Sequence, residues 1–273
     1  MPESDFEPGS VWLVGAGPGD PELLTRKAER LIRAADVVFY DALVGAEVLA
    51  FATGRQVNVG KRSGRHSKDQ ASIDRLLVAA ALSGARVVRL KGGDPAIFGR
   101  ATEELDACRT AGVSVRICPG VTAASAAAAQ LGLSLTLRGL ARKLTFATAH
   151  ARAGEPLDLE WASLADPNAT LAVYMGKSAA PQLTRGLMEA GLPADTPAVI
   201  VENASLASSR SLRTRLDLLP IVATTAVGEG PALILLGRAL AERGNPAATE
   251  SRFPAAGLWA CNAMNGRKAA VTR

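Results

Sequence analysis

Three stretches of the 273-residue chain combine glycines, small residues and acids in ways that could serve chemistry. The first is Gly15-Ala16-Gly17-Pro18-Gly19-Asp20, at the end of the apolar run VWLVG (11–15). Glycines after a buried strand let the backbone turn sharply and approach a ligand, and a helix N-terminus beyond them offers unpaired N–H groups. A dinucleotide-binding turn is the rival reading, but the spacing G-x-G-P-G-D puts Pro18 and Asp20 where a pyrophosphate would have to sit. A plain tight turn is the third reading. The second stretch is Lys91-Gly92-Gly93-Asp94-Pro95, directly after RVVRL (86–90). Gly92 and Gly93 clear space at a strand end, and Asp94 could accept hydrogen bonds from hydroxyl or amino groups; an Asp-Pro turn explains the same letters. The third, PGVTAASA (119–126), sets small residues at a helix start, either for close approach of a flat ligand or simply for packing helix on sheet.

Two charged groups stand beside these stretches. Arg100 and Glu103 lie three apart and share a face if both are helical, as a surface ion pair or as a pair held over a substrate. From Arg55 to Lys68 there are five basic residues, one His and no acid, which suits a polyanion or a solvated loop. The formal charge is +5, but 241–273 holds five basic and two acidic residues, so +3 sits there. The other 240 residues carry 26 basic and 24 acidic side chains, and +2 is too weak to imply nucleic acid. Aromatics at 4% also argue against a stacking platform for single strands. Cys108, Cys118 and Cys261 are odd in number and far apart, so neither a metal site nor a disulfide framework is indicated. The polar start MPESDFEPGS is unlike a signal peptide and no run is long enough to cross a membrane, so a cytoplasmic protein without a membrane partner is expected.

The elements that would position these residues alternate. Asp20-Pro21-Glu22 predicts a helix start, with Leu24, Ala28 and Leu31 at helical spacing behind it. Strands are predicted at 11–15, 36–40, 56–60, 86–90 and 113–117, with helices around Ile73–Ala80 and 99–111 between them. Strands alternating with helices predict a mainly parallel α/β sheet. The nearly all-alanine run Val121–Leu131 is too small-sided for an ordinary amphipathic helix, so something must pack close against it. The pattern restarts with strands at 144–149, 170–175, 198–203 and 232–237. The expected division is an extension at 1–10, an α/β domain at 11–138, a second at 139–240, and a flexible tail at 241–273 in which Trp259 stands out.

Taken in order, GAGPGD (15–20), YD (40–41), VGKRSGRHS (59–67), VVRLKGGDPAIFGR (87–100), PGVTAA (119–124), LTLRGLAR (135–142), YMG (174–176), VEN (201–203) and PALILLG (231–237) resemble the tetrapyrrole methyltransferase family, from about Val11 to Arg238. The resemblance implies two α/β domains with S-adenosyl-L-methionine in the cleft between them, bound without a Rossmann turn, no metal, and a homodimer. It implies cofactor contacts at Pro18, Gly92, Gly93, Asp94, Thr122, Ala123, Met175, Ala204 and Ala232. It implies a tetrapyrrole held by Lys61, Arg62, Arg65, His66, Arg100, Glu103 and Met175, with Asp41, Arg100 and Glu103 serving the chemistry. The blocks are most similar to the branch that methylates uroporphyrinogen III at carbons 2 and 7, giving precorrin-2 and S-adenosyl-L-homocysteine. The chain departs from the family pattern at Leu137, where a His is usual, at Gly139, where an Asp is usual, and in TAH (148–150), where TGH is usual.

The implied chemistry needs alignment more than a protein nucleophile, because a sulfonium methyl is already electrophilic and a hexahydroporphyrin pyrrole is electron-rich. Several Arg forks suit a substrate with eight carboxylates. Rival expectations are a sister enzyme for a later precorrin, a relative acting on ribosomal RNA or a modified histidine, and a nucleotide-binding module without catalysis.

Overall fold

The computed structural model describes residues 6–60, 70–149 and 157–241, and these form one compact unit. Lys61, Arg62, Arg65, His66, His150, Cys261 and the expected tail with Trp259 lie outside the described residues.

The first half builds a five-stranded sheet of β1 (Ser10–Gly15), β2 (Val37–Tyr40), β3 (Arg55–Asn58), β4 (Val87–Lys91) and β5 (Ser114–Cys118). The order is β3-β2-β4-β1-β5 and every pairing is parallel. Helices α1 (Arg26–Ala34) and α2 (Ala46–Leu49) cover one face, over Trp12, Val14, Val88 and Leu90. Helices α3 (Gln70–Leu82) and α4 (Ala101–Thr110) cover the other, over Val11, Leu13, Val87 and Phe39. Burial on both faces explains the apolar runs of β1 and β2, whereas the edge strands β3 and β5 are partly exposed.

The helix expected to begin at Asp20 is split. The Asp20 carboxylate accepts from the Glu22 N–H at 2.8 Å, but it caps only a one-turn 3-10 helix, Pro21–Leu23. Leu24 is extended, and α1 starts afresh after Thr25, whose hydroxyl accepts from the Ala28 N–H at 3.1 Å. Ser10 already pairs in β1, and Phe6 packs against the core that α1 covers.

The second sheet comprises β6 (Lys143–Thr148), β7 (Ala169–Tyr174), β8 (Pro197–Glu202), β9 (Arg210–Arg215) and β10 (Ala232–Leu236), in the order β6-β7-β10-β8-β9. Only β6 and β7 are parallel; the other three pairings are antiparallel, which corrects the mainly parallel expectation for this half. The reason is the link 203–209, which is too short for a crossover and can only fold β9 back on β8. Helices α6 (Trp161–Leu164), α7 (Ala180–Glu189) and α8 (Leu219–Thr225) pack on one face of this sheet, over Val173, Ile200 and Ile234. The alanine-rich α5 (Ala123–Gln130) packs on the other: Ala124, Ala126 and Ala127 lie against Ala172, Val199, Val201, Leu233 and Leu235. Small side chains let this helix, which follows the first sheet, press onto the second.

Leu137 and Gly139 belong to a tight turn. Leu137 and Ala141 exchange backbone hydrogen bonds at 2.8 and 2.7 Å, and Gly139 between them has φ +80°, a conformation that glycine adopts without strain.

Candidate active site

The loops after β1, β4 and β5 leave the same edge of a parallel sheet, the edge where open α/β sheets receive ligands. They touch through glycines. Gly17 and Gly93 exchange backbone hydrogen bonds at 3.2 and 2.7 Å. A Cβ on Gly15 would stand 2.6 Å from the Gly120 Cα and 2.7 Å from the Gly93 carbonyl, so the three loops close only without side chains there. Gly93 is different: its φ is +69°, and a Cβ there would meet nothing within 4 Å. That side of the turn is open.

Asp94 stitches this edge together. One carboxylate oxygen accepts from the Ala96 N–H at 2.8 Å and the other from the Gly120 N–H at 3.0 Å. The Asp-Pro turn reading is therefore present in the structure, and lone pairs remain on both oxygens for a ligand.

Tyr174 joins the second sheet to this edge. Its hydroxyl lies 2.6 Å from the Thr122 hydroxyl and accepts from the Ala124 N–H at 3.3 Å. Its ring meets Phe98 at 5.1 Å and Phe146 at 5.7 Å between centroids. Burial pushes the phenol above its ordinary range, so it stays a neutral link. Met175, Ala204 and Ala232 come together at neighbouring strand ends: Tyr174 pairs with Leu233, Ala232 pairs with Glu202, and the Asn203 N–H donates to the Pro231 carbonyl at 2.9 Å.

Strain marks the same edge. Among the described residues, the non-glycine positions with positive φ are Phe98, Arg100, Met175, Asn203 and Ser205. All follow β4, β7 or β8, where the predicted site residues cluster. Such conformations cost of order 1–3 kcal/mol each and persist where surrounding structure holds them. Ser205 is held by its hydroxyl, which accepts from the Asp20 N–H at 3.1 Å, and by its N–H, which donates to Gln130 at 3.3 Å.

Arg100 is not on the helix. It precedes α4 in a left-handed conformation, φ 55°, yet still reaches Glu103 at 2.8 Å. Both side chains are open to solvent, 61% and 45% exposed, so the guanidinium can meet an incoming carboxylate. Asp41 follows β2. One of its oxygens accepts from the Leu43 N–H at 3.0 Å, and the other lies 3.7 Å from Arg89.

Behind these residues is a group the sequence reading missed. Arg89 and Lys91 point from β4 toward α4 and meet Glu104, at 2.9 and 2.8 Å. Arg89 and Lys91 are each 6% exposed at the side chain and Glu104 is fully buried. Burial pushes the Lys91 ammonium below its ordinary range, with Arg89 adding to the shift and Glu104 opposing it. Asp74 on α3 is pushed up, first by burial and further by Glu104 and Glu103, against a hydrogen bond from Gln70. One signal was available: Ala101, Glu104 and Cys108 form the buried stripe of α4, so Glu104 occupies a core position in the 3.6 period.

A family model for tetrapyrrole (corrin/porphyrin) methylases matches residues 10–220. The chain belongs to this family. An S-adenosyl-L-methionine-dependent uroporphyrinogen III methyltransferase of Arabidopsis thaliana, named as chloroplastic, is 47% identical over 238 residues, covering 86% of this chain and 64% of its own length. A uroporphyrinogen-III C-methyltransferase of Pseudomonas aeruginosa is 45% identical over 230 residues, covering 84% and 93%. The crystal structure of a uroporphyrin-III C-methyl transferase from Thermus thermophilus, complexed with S-adenyl homocysteine, superposes with a TM-score of 0.74 at 40% identity, covering 85% of this chain and 98% of that one. The chain spans about half the length of other curated relatives it matches. The tetrapyrrole methylase fold of two α/β sheets is therefore present, the second sheet being mixed and mostly antiparallel.

Neither of two cavities is lined by any of the nine predicted cofactor residues, but the second includes Val121 and Ser205, which adjoin Thr122 and Ala204 in the chain. One of about 300 Å³ opens at the far end of the second sheet, beside Asp166, Asp195 and Arg238. One of about 460 Å³ lies between α5 and the loop after β8, beside Gln130, Ser205 and Ser209. Among the described residues there is no group of acids, His and Cys that would hold a metal, and no helix long and apolar enough to cross a membrane.

Proposed function

We propose that this chain is an S-adenosyl-L-methionine-dependent C-methyltransferase that methylates uroporphyrinogen III at carbons 2 and 7, giving precorrin-2 by way of precorrin-1. The observation that carries the reading is the meeting of the two sheets at one edge: the Tyr174 hydroxyl reaches Thr122 and the Tyr174 ring meets Phe98, on the loop that opens with the Gly93 turn.

The residues there fit the cofactor. Gly93 is open, Ala123, Ala204 and Ala232 are small, and Gly92 lets the turn pack against Leu43; Pro18 and Thr122 border the site, Met175 is 46% exposed, and Asp94 keeps free lone pairs. When bound, the cofactor supplies an electrophilic methyl and leaves as S-adenosyl-L-homocysteine. No protein nucleophile is required, and burial pushes the Cys118 thiol up and the Cys108 thiol up to about 11.

Arg100 binds a substrate carboxylate, since a guanidinium keeps its proton. Glu103 orients it, and Lys61, Arg62, Arg65 and His66 take further carboxylates. Asp41 has lone pairs left for pyrrole N–H groups. We assign the two sheets to domains at 11–138 and 139–240, and place the chain in the cytosol as a homodimer; the dimer rests on family membership, and sedimentation checks it.

Incubation with S-adenosyl-L-methionine and enzymatically made uroporphyrinogen III, read by mass spectrometry, should show two added methyls. A single methyl, or activity only on a later precorrin, moves the chain to another branch. Calorimetry should show S-adenosyl-L-homocysteine binding and no NAD binding. In Gly93→Val, cofactor binding should be lost, because the branched side chain enters the open side of the turn; parental affinity in a folded variant removes that turn from the site.

A further inference from the structure

The geometry points to Arg89 and Glu104 as positioning residues for the substrate side of the site, acting through Asp41 and through the first turn of α4. This rests on the methyltransferase reading above.

The buried pair is built like a bracket. Arg89 and Lys91 are two apart on β4, so both side chains leave the same face of the sheet. Both end on Glu104, one on each carboxylate oxygen, at 2.9 and 2.8 Å. Gln70 of α3 comes within 3.5 Å of the same carboxylate. The Arg89 fork has two further directions: one nitrogen donates to the Leu90 carbonyl at 2.9 Å, and the other lies 3.7 Å from Asp41. Arg89, Lys91 and Glu104 carry two positive charges and one negative; Asp41 completes neutrality from the ligand side, with its side chain 25% exposed. The same helical turn that buries Glu104 turns Glu103 outward to Arg100. One buried carboxylate thereby sets two exposed groups: Asp41 by way of Arg89, and the Arg100–Glu103 pair by way of the helix it anchors. None of Arg89, Lys91 or Glu104 is open enough to touch a tetrapyrrole, so their effect on turnover must pass through these neighbours.

Lysine at 89 keeps the charge but has one ammonium where the guanidinium has a fork, so it cannot serve Glu104 and Asp41 together. In Arg89→Lys, turnover of uroporphyrinogen III should fall about tenfold in kcat/KM, while S-adenosyl-L-homocysteine affinity by calorimetry stays within about threefold. Glu104→Gln should show the same split with a larger loss. Asp41→Asn supplies the decisive cycle: adding Arg89→Lys to it should cost little more, because residues acting through one contact are not additive. Losses that multiply, parental turnover in folded Arg89→Lys, or turnover and cofactor affinity falling together would each overturn the proposal. Turnover by the parent chain is measured first. Its absence refutes the activity reading, and the bracket is then tested by quenching of uroporphyrin III fluorescence: weaker binding in Arg89→Lys supports it, and unchanged binding refutes it.

Discussion

Glu103 and Glu104 are adjacent on α4 and do opposite things. Glu103 pairs with Arg100 at 2.8 Å in solvent, and Glu104 pairs with Arg89 and Lys91 at nearly the same distances inside the protein. The chemistry of the two pairs is alike; their surroundings differ. In water an ion pair gains little and leaves both partners free to exchange for a ligand. Inside, the desolvation of each charge has already been offset by its partners, so removing one leaves the others stranded. Burial thus separates a pair that can recognise from a pair that can only hold.

The sharpest way to break this contrast is at Glu104. Glu104→Ala leaves Arg89 and Lys91 buried without their carboxylate, and loss of one partner from a buried pair costs about 3–5 kcal/mol. Urea unfolding should show a drop of that size, whereas Glu103→Ala should change stability by under about 1 kcal/mol. Equal, small effects of the two would place both pairs in the same dielectric and remove the distinction.

The second prediction sharpens the exposed side. Arg100→Lys keeps the charge but loses the planar fork, and a hydrogen bond to a charged group is worth roughly 1.5–3 kcal/mol. Its kcat/KM for uroporphyrinogen III should fall about tenfold to a hundredfold, with Arg100→Leu lower still and unfolding midpoints close to parental. Parental turnover by purified Arg100→Leu would make the pair a surface feature with no part in the site.

The contrast also explains what could be read from the letters alone. The glycine turns were legible because close backbone approach and positive φ restrict residue type: Gly15 and Gly120 cannot carry side chains where the loops meet, and Gly93 has φ +69°. The interior strands β1 and β2 were legible because burial on both faces writes unbroken apolar runs. The edge strand β9, RSLRTR, was missed, since its exposed arginines read as a polar loop. Helices α7 and α8 were not anticipated, and with β9 unrecognised the short link at 203–209 could not be read as the reversal that makes the second sheet mostly antiparallel. The bracket was missed because Arg, Lys and Glu default to the surface. The helical period puts Glu104 at a core position, but the tertiary pairing supplies the partners that let three such residues be buried together. The roles of Lys61, Arg62, Arg65 and His66 stay where the sequence left them, outside the described residues.

The smallest expected effect lies at a second exposed pair, Arg86 and Asp36, which tests whether exposure or geometry decides what a pair is worth. Arg86 makes a two-point fork to Asp36, at 3.1 and 2.9 Å, and its backbone N–H donates to the same carboxylate at 2.8 Å. The Arg86 side chain, and then its backbone N–H, hold the Asp36 carboxyl down at about 2, from an ordinary value of 3.8. A carboxyl lowered on folding stabilises the protein above its unfolded value, and that contribution is lost as pH falls from 3.8 through about 2. The side chains are 38% and 46% exposed, so screening reduces the shift to at most about 1 kcal/mol. Asp36→Asn should therefore unfold slightly more easily than the parent at pH 7, and the gap should narrow as pH falls below about 4. High salt at pH 7 should narrow it too, because the pair is in solvent. A gap of 3 kcal/mol or more at pH 7, insensitive to salt, would show that bidentate geometry outweighs exposure, and the difference between Glu103 and Glu104 would then need an explanation other than burial.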